Sequence, residues 1–92
     1  MLMPRDHIAR AEKAGVMITL VKTDSEQCEV VVRLAGQIKA RARVPSEQVG
    51  QATFYRLAVV LDRLSFELPS ETMFEHVMED LSTTPYPIIS ED

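Results

Sequence analysis

Residues 37–44 alternate strictly between apolar and polar side chains, and no other stretch constrains the fold as strongly. Successive side chains of a strand point to opposite faces, so this pattern predicts a strand with one buried and one solvated face. The buried face requires other strands beside it and a covering layer above it. The apolar set is Ile38, Ala40, Ala42 and Val44, and the polar set is Gln37, Lys39, Arg41 and Arg43.

Two valine-rich stretches supply the neighbouring strands. Residues 16–21 and 28–34 are compact and rich in β-branched side chains, and the polar residues 23–26 separate them. Ala35 and Gly36 then permit a tight turn into the alternating strand. We therefore predict a three-stranded antiparallel meander over residues 16–44.

Helical signals flank this meander on both sides. Pro4 suits a first helical position and Gly15 suits a helix end, which predicts an N-terminal helix over residues 4–14. The apolar positions that support it are Ile8, Ala11 and Ala14. After the meander, Ser46 is a good N-cap for a long helix over residues 46–65. The buried stripe of that helix would comprise Phe54, Leu57, Ala58, Leu61 and Leu64.

An acidic helix and a tail complete the chain. The spacing of apolar residues predicts a helix over residues 70–81. Its buried side would comprise Met73, Phe74, Val77, Met78 and Leu81. Residues 82–92 contain two prolines and should be extended. Three alternatives are open for this tail: Ile88 and Ile89 add an edge strand, they dock on the core, or the tail is mobile.

Length and cysteine content limit the class of protein. At 92 residues the chain has room for one modest core, so we expect a single α+β domain over residues 1–92 with the order α-β-β-β-α-α. The single cysteine, Cys28, excludes an internal disulfide and a thiolate zinc cage, which favours a reducing cytoplasm. The apolar runs are far shorter than the roughly 20 residues of a membrane span, so we expect no membrane segment.

The sequence offers few groups for catalysis or metal binding. The candidate nucleophile and bases are Cys28, His7 and His76. Cys28 lies in a valine-rich strand and is expected to be a buried structural thiol. His76 precedes Asp80 by one helical turn, and with Glu75 and Glu79 it would suit a metal, but an acidic solvated helix face is the favoured interpretation. We therefore predict a non-enzymatic protein with no catalytic residue, metal, cofactor or small-molecule substrate, and keep a metal-dependent enzyme as a distant alternative.

Basic residues form the first candidate binding surface. Lys39, Arg41 and Arg43 recur about 6.6 Å apart along the polar side of their strand, a spacing close to that of nucleic-acid phosphates. Arg33 of the preceding strand is expected to share this side. Guanidinium groups there would bind phosphates or the carboxylates of an acidic protein, and an ordinary solvated sheet face is the alternative. The apolar residues beside them would be Met17, Val21 and Val31.

Acidic residues form the second candidate surface. Residues 1–45 hold eight Lys/Arg and five Asp/Glu, whereas residues 46–92 hold two and nine, so the net charge of −4 is unevenly divided. An acidic surface in the second half of the chain would bind basic patches of a partner or mimic nucleic acid. The alternative is that its charges serve only solubility. Its members on the last predicted helix are Glu71, Glu75, Glu79 and Asp80.

The predicted order of helix, three-stranded meander and helix over residues 4–65 resembles the double-stranded RNA-binding domain, which recognises the shape and phosphates of A-form RNA. That family places a lysine-rich cluster at the start of its closing helix, where this chain has SEQVG at 46–50. The resemblance is therefore topological, and it gives a small RNA- or DNA-binding regulator as the alternative function.

The whole chain resembles the small phage-encoded anti-CRISPR proteins, in particular those directed at type I-F systems. The resemblance rests on an acidic chain of this length, a short meander packed by helices, and opposed basic and acidic surfaces. It implies stoichiometric docking on a crRNA-guided Cas surveillance complex, with loss of target DNA binding or activation, in the cytoplasm of an infected bacterial host. The basic strand would then touch the crRNA backbone or acidic Cas surfaces, and the acidic helix would oppose a basic DNA channel.

Overall fold

Five strands and two helices build the described part of the chain, in a computed structural model that covers residues 7–23 and 27–90. The strands form one antiparallel sheet whose spatial order matches their order along the chain. The elements are β1 (His7–Lys13), β2 (Val16–Lys22), β3 (Cys28–Leu34), β4 (Gln37–Val44), α1 (Glu47–Arg63), α2 (Ser70–Leu81) and β5 (Ile88–Ser90). The α+β class is confirmed, but the predicted order α-β-β-β-α-α with three strands is wrong.

The N-terminal segment is a strand and not the predicted helix over residues 4–14. A two-residue turn of Ala14 and Gly15 joins β1 to β2, and both residues have positive φ, 50° and 89°. Two such residues define the type I′ turn, whose twist matches that of paired strands. Gly15 thus closes a hairpin, and pairing with β2 outweighs the helical spacing of three apolar residues. Residues 4–6 of the predicted helix lie outside the described ranges.

The same dipeptide turns the chain between β3 and β4. Ala35 and Gly36 have φ of 54° and 83°. The Ala35 N–H donates to the Gly15 carbonyl at 2.9 Å, so the two hairpin turns lie side by side at one end of the sheet. The repeated Ala-Gly dipeptide is therefore the sequence signal of the missed first strand.

The C-terminal tail supplies the fifth strand. β5 pairs with residues 40–42 of β4. Of the alternatives predicted for the tail, the edge strand is therefore the correct one. With β1 at the opposite edge, the sheet has two strands more than predicted.

Both helices pack on the same face of the sheet and enclose the core. The helices predicted over 46–65 and 70–81 run over Glu47–Arg63 and Ser70–Leu81. Ser46 is the N-cap of α1, as predicted, and its Oγ accepts a hydrogen bond from the N–H of Val49 at 3.3 Å. The side chains buried between helices and sheet are Val16, Ile18, Leu20, Cys28, Val30, Val32, Ala42, Val44, Leu57, Leu61, Met73, Val77 and Leu81.

Lys13 links the sheet to the C-terminal end of α1. Its ammonium donates to the backbone carbonyls of Asp62, at 3.1 Å, and Leu64. It also lies 4.5 Å from the centroid of the Phe66 ring. A cation at a helix C-terminus satisfies carbonyls that have no partner within the helix. β1 is therefore tied to the helical layer as well as to β2.

Gly50 lets α1 approach the sheet closely, and we predict that Gly50→Ala lowers the free energy of unfolding by about 1–3 kcal/mol. A Cβ there would lie 2.8 Å from Leu20 Cδ1 and 3.2 Å from Cys28 Cβ, so either the buried Leu20 side chain or the helix would have to shift. Urea denaturation measures the loss. Gln51→Ala, on the exposed side of the same turn, is the control. Equal stability of the two variants would contradict the close packing.

The φ of 54° at Ala35 leads to a second prediction, that Ala35→Asn raises the free energy of unfolding by about 1 kcal/mol. Asparagine tolerates the left-handed region better than alanine, and Asn-Gly is a favoured type I′ pair. Ala35→Val is the matched control and should destabilise the protein, because a β-branched side chain is disfavoured at positive φ. Thermal unfolding compares the two variants with the native protein. A lower melting temperature for Ala35→Asn would argue against the turn.

Candidate functional site

The face of the sheet opposite α1 and α2 is the candidate functional site, and we term it the open face. Residues that pair across antiparallel strands point to the same side, so the strand register defines its members. No helix of the described chain packs against it. Its members, among the residues whose side chains the structure describes, are Arg10, Glu12, Met17, Thr19, Val21, Glu29, Val31, Arg33, Ile38, Arg41, Arg43 and Ile89.

One row of the open face crosses all five strands. It consists of Arg10, Thr19, Val31, Arg41 and Ile89, one residue from each strand in chain order. Thr19 is 4% exposed and Val31 is 6% exposed, although both point away from the helices. The row therefore has a water-excluded centre and an arginine on either side of it.

The hydroxyl of Thr19 is buried without a hydrogen-bond partner in the part of the chain that the structure describes. A polar group that is buried unsatisfied costs about 1–3 kcal/mol. Valine would occupy nearly the same space in a strand without this cost. The hydroxyl is thus an unused donor and acceptor at the centre of the open face.

Glu29 holds two arginines of the open face. Its carboxylate accepts a hydrogen bond from Arg43 Nε at 3.3 Å and lies 3.8 Å from Arg41 Nη1. The side chain of Glu29 is 11% exposed, so solvent screens these ion pairs only in part. Within the described residues, Arg10 and Arg33 have no side-chain partner. Two arginines are therefore held in place, and two are available to a ligand.

The structure brings together three of the four basic residues that the sequence predicted as one surface. Arg33, Arg41 and Arg43 lie on the open face. Lys39 is the extra residue of a β-bulge, because the pairing of β3 with β4 shifts by one residue there, which pairs Ile38 with Arg33 on the open face and leaves Lys39 without a partner residue in β3. Strict alternation along β4 is therefore wrong near its start. The apolar residues predicted beside the arginines do lie on the open face, and they are Met17, Val21 and Val31.

The sequence-based prediction of this surface does not include Arg10, Thr19 or Glu29. Arg10 belongs to the segment predicted as a helix, and the alternation of small and charged residues in β1 is the signal that would place it on the sheet. Thr19 and Glu29 become notable only through burial and pairing. No property of their own strands distinguishes them.

The acidic residues that the sequence predicted as a second surface lie on α2. Glu71, Glu75 and Glu79 are exposed and succeed one another at one-turn spacing. Asp80 instead joins the two helices, because its carboxylate accepts a hydrogen bond from Arg56 Nε at 2.8 Å. Three of the four predicted acidic residues therefore remain available at the surface.

The candidate nucleophile and the candidate base of the described chain lie in different parts of the fold. His76 is exposed on α2, whereas Cys28 lies in the core as predicted. Burial, and then the charge of Glu47, raise the pKa of the Cys28 thiol, which disfavours the nucleophilic thiolate at neutral pH. Among residues 7–23 and 27–90, no group of three or more His, Cys, Asp or Glu is arranged to hold a metal ion.

No family model, curated protein or solved structure matches this chain. Its functional interpretation therefore depends on the open face and on the chemistry of the residues there. Within the described ranges, neither helix is long and apolar enough to cross a membrane.

The contacts of Glu29 predict that Glu29→Ala lowers the free energy of unfolding by about 1–2 kcal/mol. Two guanidinium groups, of Arg41 and Arg43, would lose their contacts with the carboxylate of Glu29. Glu12→Ala is the matched control, because Glu12 is exposed on the same face, and it should change stability by less than about 0.5 kcal/mol. Urea denaturation of both variants measures the difference. Equal losses would show that the ion pairs of Glu29 contribute nothing.

Proposed function

We propose that this protein acts without catalysis, by binding another macromolecule stoichiometrically through the open face. The observation that carries the proposal is a sheet whose described helices cover one side, while the other side combines a water-excluded centre with arginines. An antiparallel sheet that faces only solvent is ordinarily polar on that side. Aliphatic area together with arginine is instead typical of protein interfaces.

The chemistry of the described residues supports binding more than turnover. Catalysis needs a nucleophile and a base, or an acid and a base, within hydrogen-bond reach of each other and of a substrate. A groove of about 460 Å³ lies between α1 and the segment that precedes β5. The charged side chain in its described lining is Arg56, which Asp80 already engages. This groove therefore holds no such pair.

The specific form of the proposal names a crRNA-guided Cas surveillance complex as the partner, as the resemblance to anti-CRISPR proteins implies. Arginines on the open face suit an acidic Cas surface or the crRNA backbone. Docking would block target DNA binding or the activation that comes after it. The RNA- or DNA-binding regulator loses its topological basis, because β1 stands where the double-stranded RNA-binding domain has a helix.

Charge reversal on two surfaces tests this proposal. One variant carries Arg10→Glu and Arg33→Glu on the open face, and the matched control carries Glu71→Lys and Glu75→Lys on α2. Each tagged protein is incubated with bacterial lysate that contains a type I-F surveillance complex, and the captured proteins and their target DNA binding are analysed. We expect the native protein and the α2 variant to capture Cas subunits with crRNA, and the open-face variant to lose this capture.

The outcomes separate the partner from the surface. Failure of the native protein to capture Cas subunits would exclude the Cas complex as partner. Equal capture by the native protein and both variants would exclude the open face as the docking surface. Circular dichroism of each variant establishes that charge reversal has left the fold intact.

A further inference from the structure

We propose that the open face recognises an acidic segment of a partner protein, whose carboxylates bind Arg10, Arg33 and the hydroxyl of Thr19. This inference rests on the proposed function, because it specifies the chemistry of the partner at the same face. It does not depend on which protein supplies the segment.

The charges of the open face favour an anionic ligand. Its described residues include four arginines and two carboxylates, those of Glu12 and Glu29. The carboxylate of Glu29 already contacts Arg41 and Arg43. Arg10 and Arg33 have no side-chain partner within the described residues, and they lie on different strands in adjacent rows. Guanidinium groups bind carboxylates through two parallel hydrogen bonds. The face therefore offers two available sites for carboxylates.

Thr19 adds a hydrogen-bonding group to this charge pattern. With only 4% of its surface exposed it is more than nine-tenths buried, and its hydroxyl has no partner among the described residues. Thr19 pairs directly with Arg10, on a neighbouring strand about 4.8 Å away. A carboxylate bound to Arg10 is thus within reach of the hydroxyl once the surrounding side chains move aside. That contact would satisfy a group that the free protein leaves unpaired.

The apolar residues of the open face favour a protein over a nucleic acid. None of the open-face residues named above carries an aromatic ring, whereas single-stranded nucleic acids bind through stacking of their bases on aromatic rings. Glu12 and Glu29 would also repel a continuous phosphate backbone. The aliphatic residues that would contact the side chains of a protein segment are Met17, Val21, Val31, Ile38 and Ile89.

A second copy of this chain fits the open face poorly. If two open faces met, the four arginines of one copy would lie opposite the four arginines of the other. The two carboxylates of each face would not balance this positive charge. The exposed acidic residues of α2 in another copy would complement the charge, but this contact joins two different surfaces. Such a head-to-tail contact generates a ring or an open filament rather than a symmetric pair of open faces. A different acidic protein is therefore the occupant that the charges support.

Selection from a phage-displayed library of random peptides on the immobilised full chain tests this inference. We expect the selected peptides to combine aspartate or glutamate with aliphatic residues. Their affinity should fall at least about tenfold for the double variant Arg10→Gln and Arg33→Gln. It should fall about threefold to tenfold for Thr19→Val, which should also raise the melting temperature of the free protein. The matched control, Glu71→Gln with Glu75→Gln on α2, should bind as the native protein does.

Several outcomes would overturn the inference or part of it. Peptides without carboxylates that still depend on Arg10 and Arg33 would contradict it while leaving the proposed docking surface in place. Peptides that bind all variants equally would contradict the docking surface as well. A pool of random RNA that binds the native protein at low salt but not the arginine variant, or the failure of any peptide to bind, would exclude the acidic protein segment. If Thr19→Val bound the peptides with unchanged affinity, the hydroxyl of Thr19 would have no part in binding.

Discussion

The packing of both helices on one face of the sheet determines the rest of this structure. Alternate residues of β2, β3 and β4 point into the core, where Leu57 of α1 and Met73 of α2 meet them. Gly50 permits the close approach that this packing requires. Because the side chains of a strand alternate, each residue committed to the core leaves its neighbour on the open face. The exposed arginines and the buried centre of that face are thus consequences of one-sided cover.

The elements that sequence reasoning placed well carry their own local signals. The N-cap at Ser46 and the apolar spacing within α1 and α2 lie inside single segments, and so does the β-branched character of β2 and β3. β1 has a weaker signal, because Ala9 and Ala11 are small and its stability depends on pairing with β2. The Ala-Gly dipeptide at 14–15 adds to this signal through its repeat at 35–36, but it is ambiguous by itself. A glycine after alanine serves a helix end and a hairpin equally, and only the pairing of the two flanking segments in space distinguishes them.

The candidate site was less predictable than the fold, because its properties arise between strands. Arg41 and Arg43 are placed by the alternation of β4, which is a property of one segment. The alternation of β4 does not place Lys39, because Lys39 lies at a bulge and a bulge depends on the register of the partner strand. Thr19 and Glu29 acquire their burial and contacts from residues on neighbouring strands. Long-range pairing of this kind leaves no trace in the composition of a single strand.

The edges of the sheet are poorly suited to pairing with another chain, which favours the open face as the docking surface. β1 offers a seven-residue edge, but Arg10, Glu12 and Lys13 put charge along it, and Lys13 is already bound to α1. Charged side chains are a common protection of edge strands. β5 has three residues and covers only part of β4. A partner on the open face, by contrast, needs no change in backbone pairing, only a rearrangement of the side chains around Thr19.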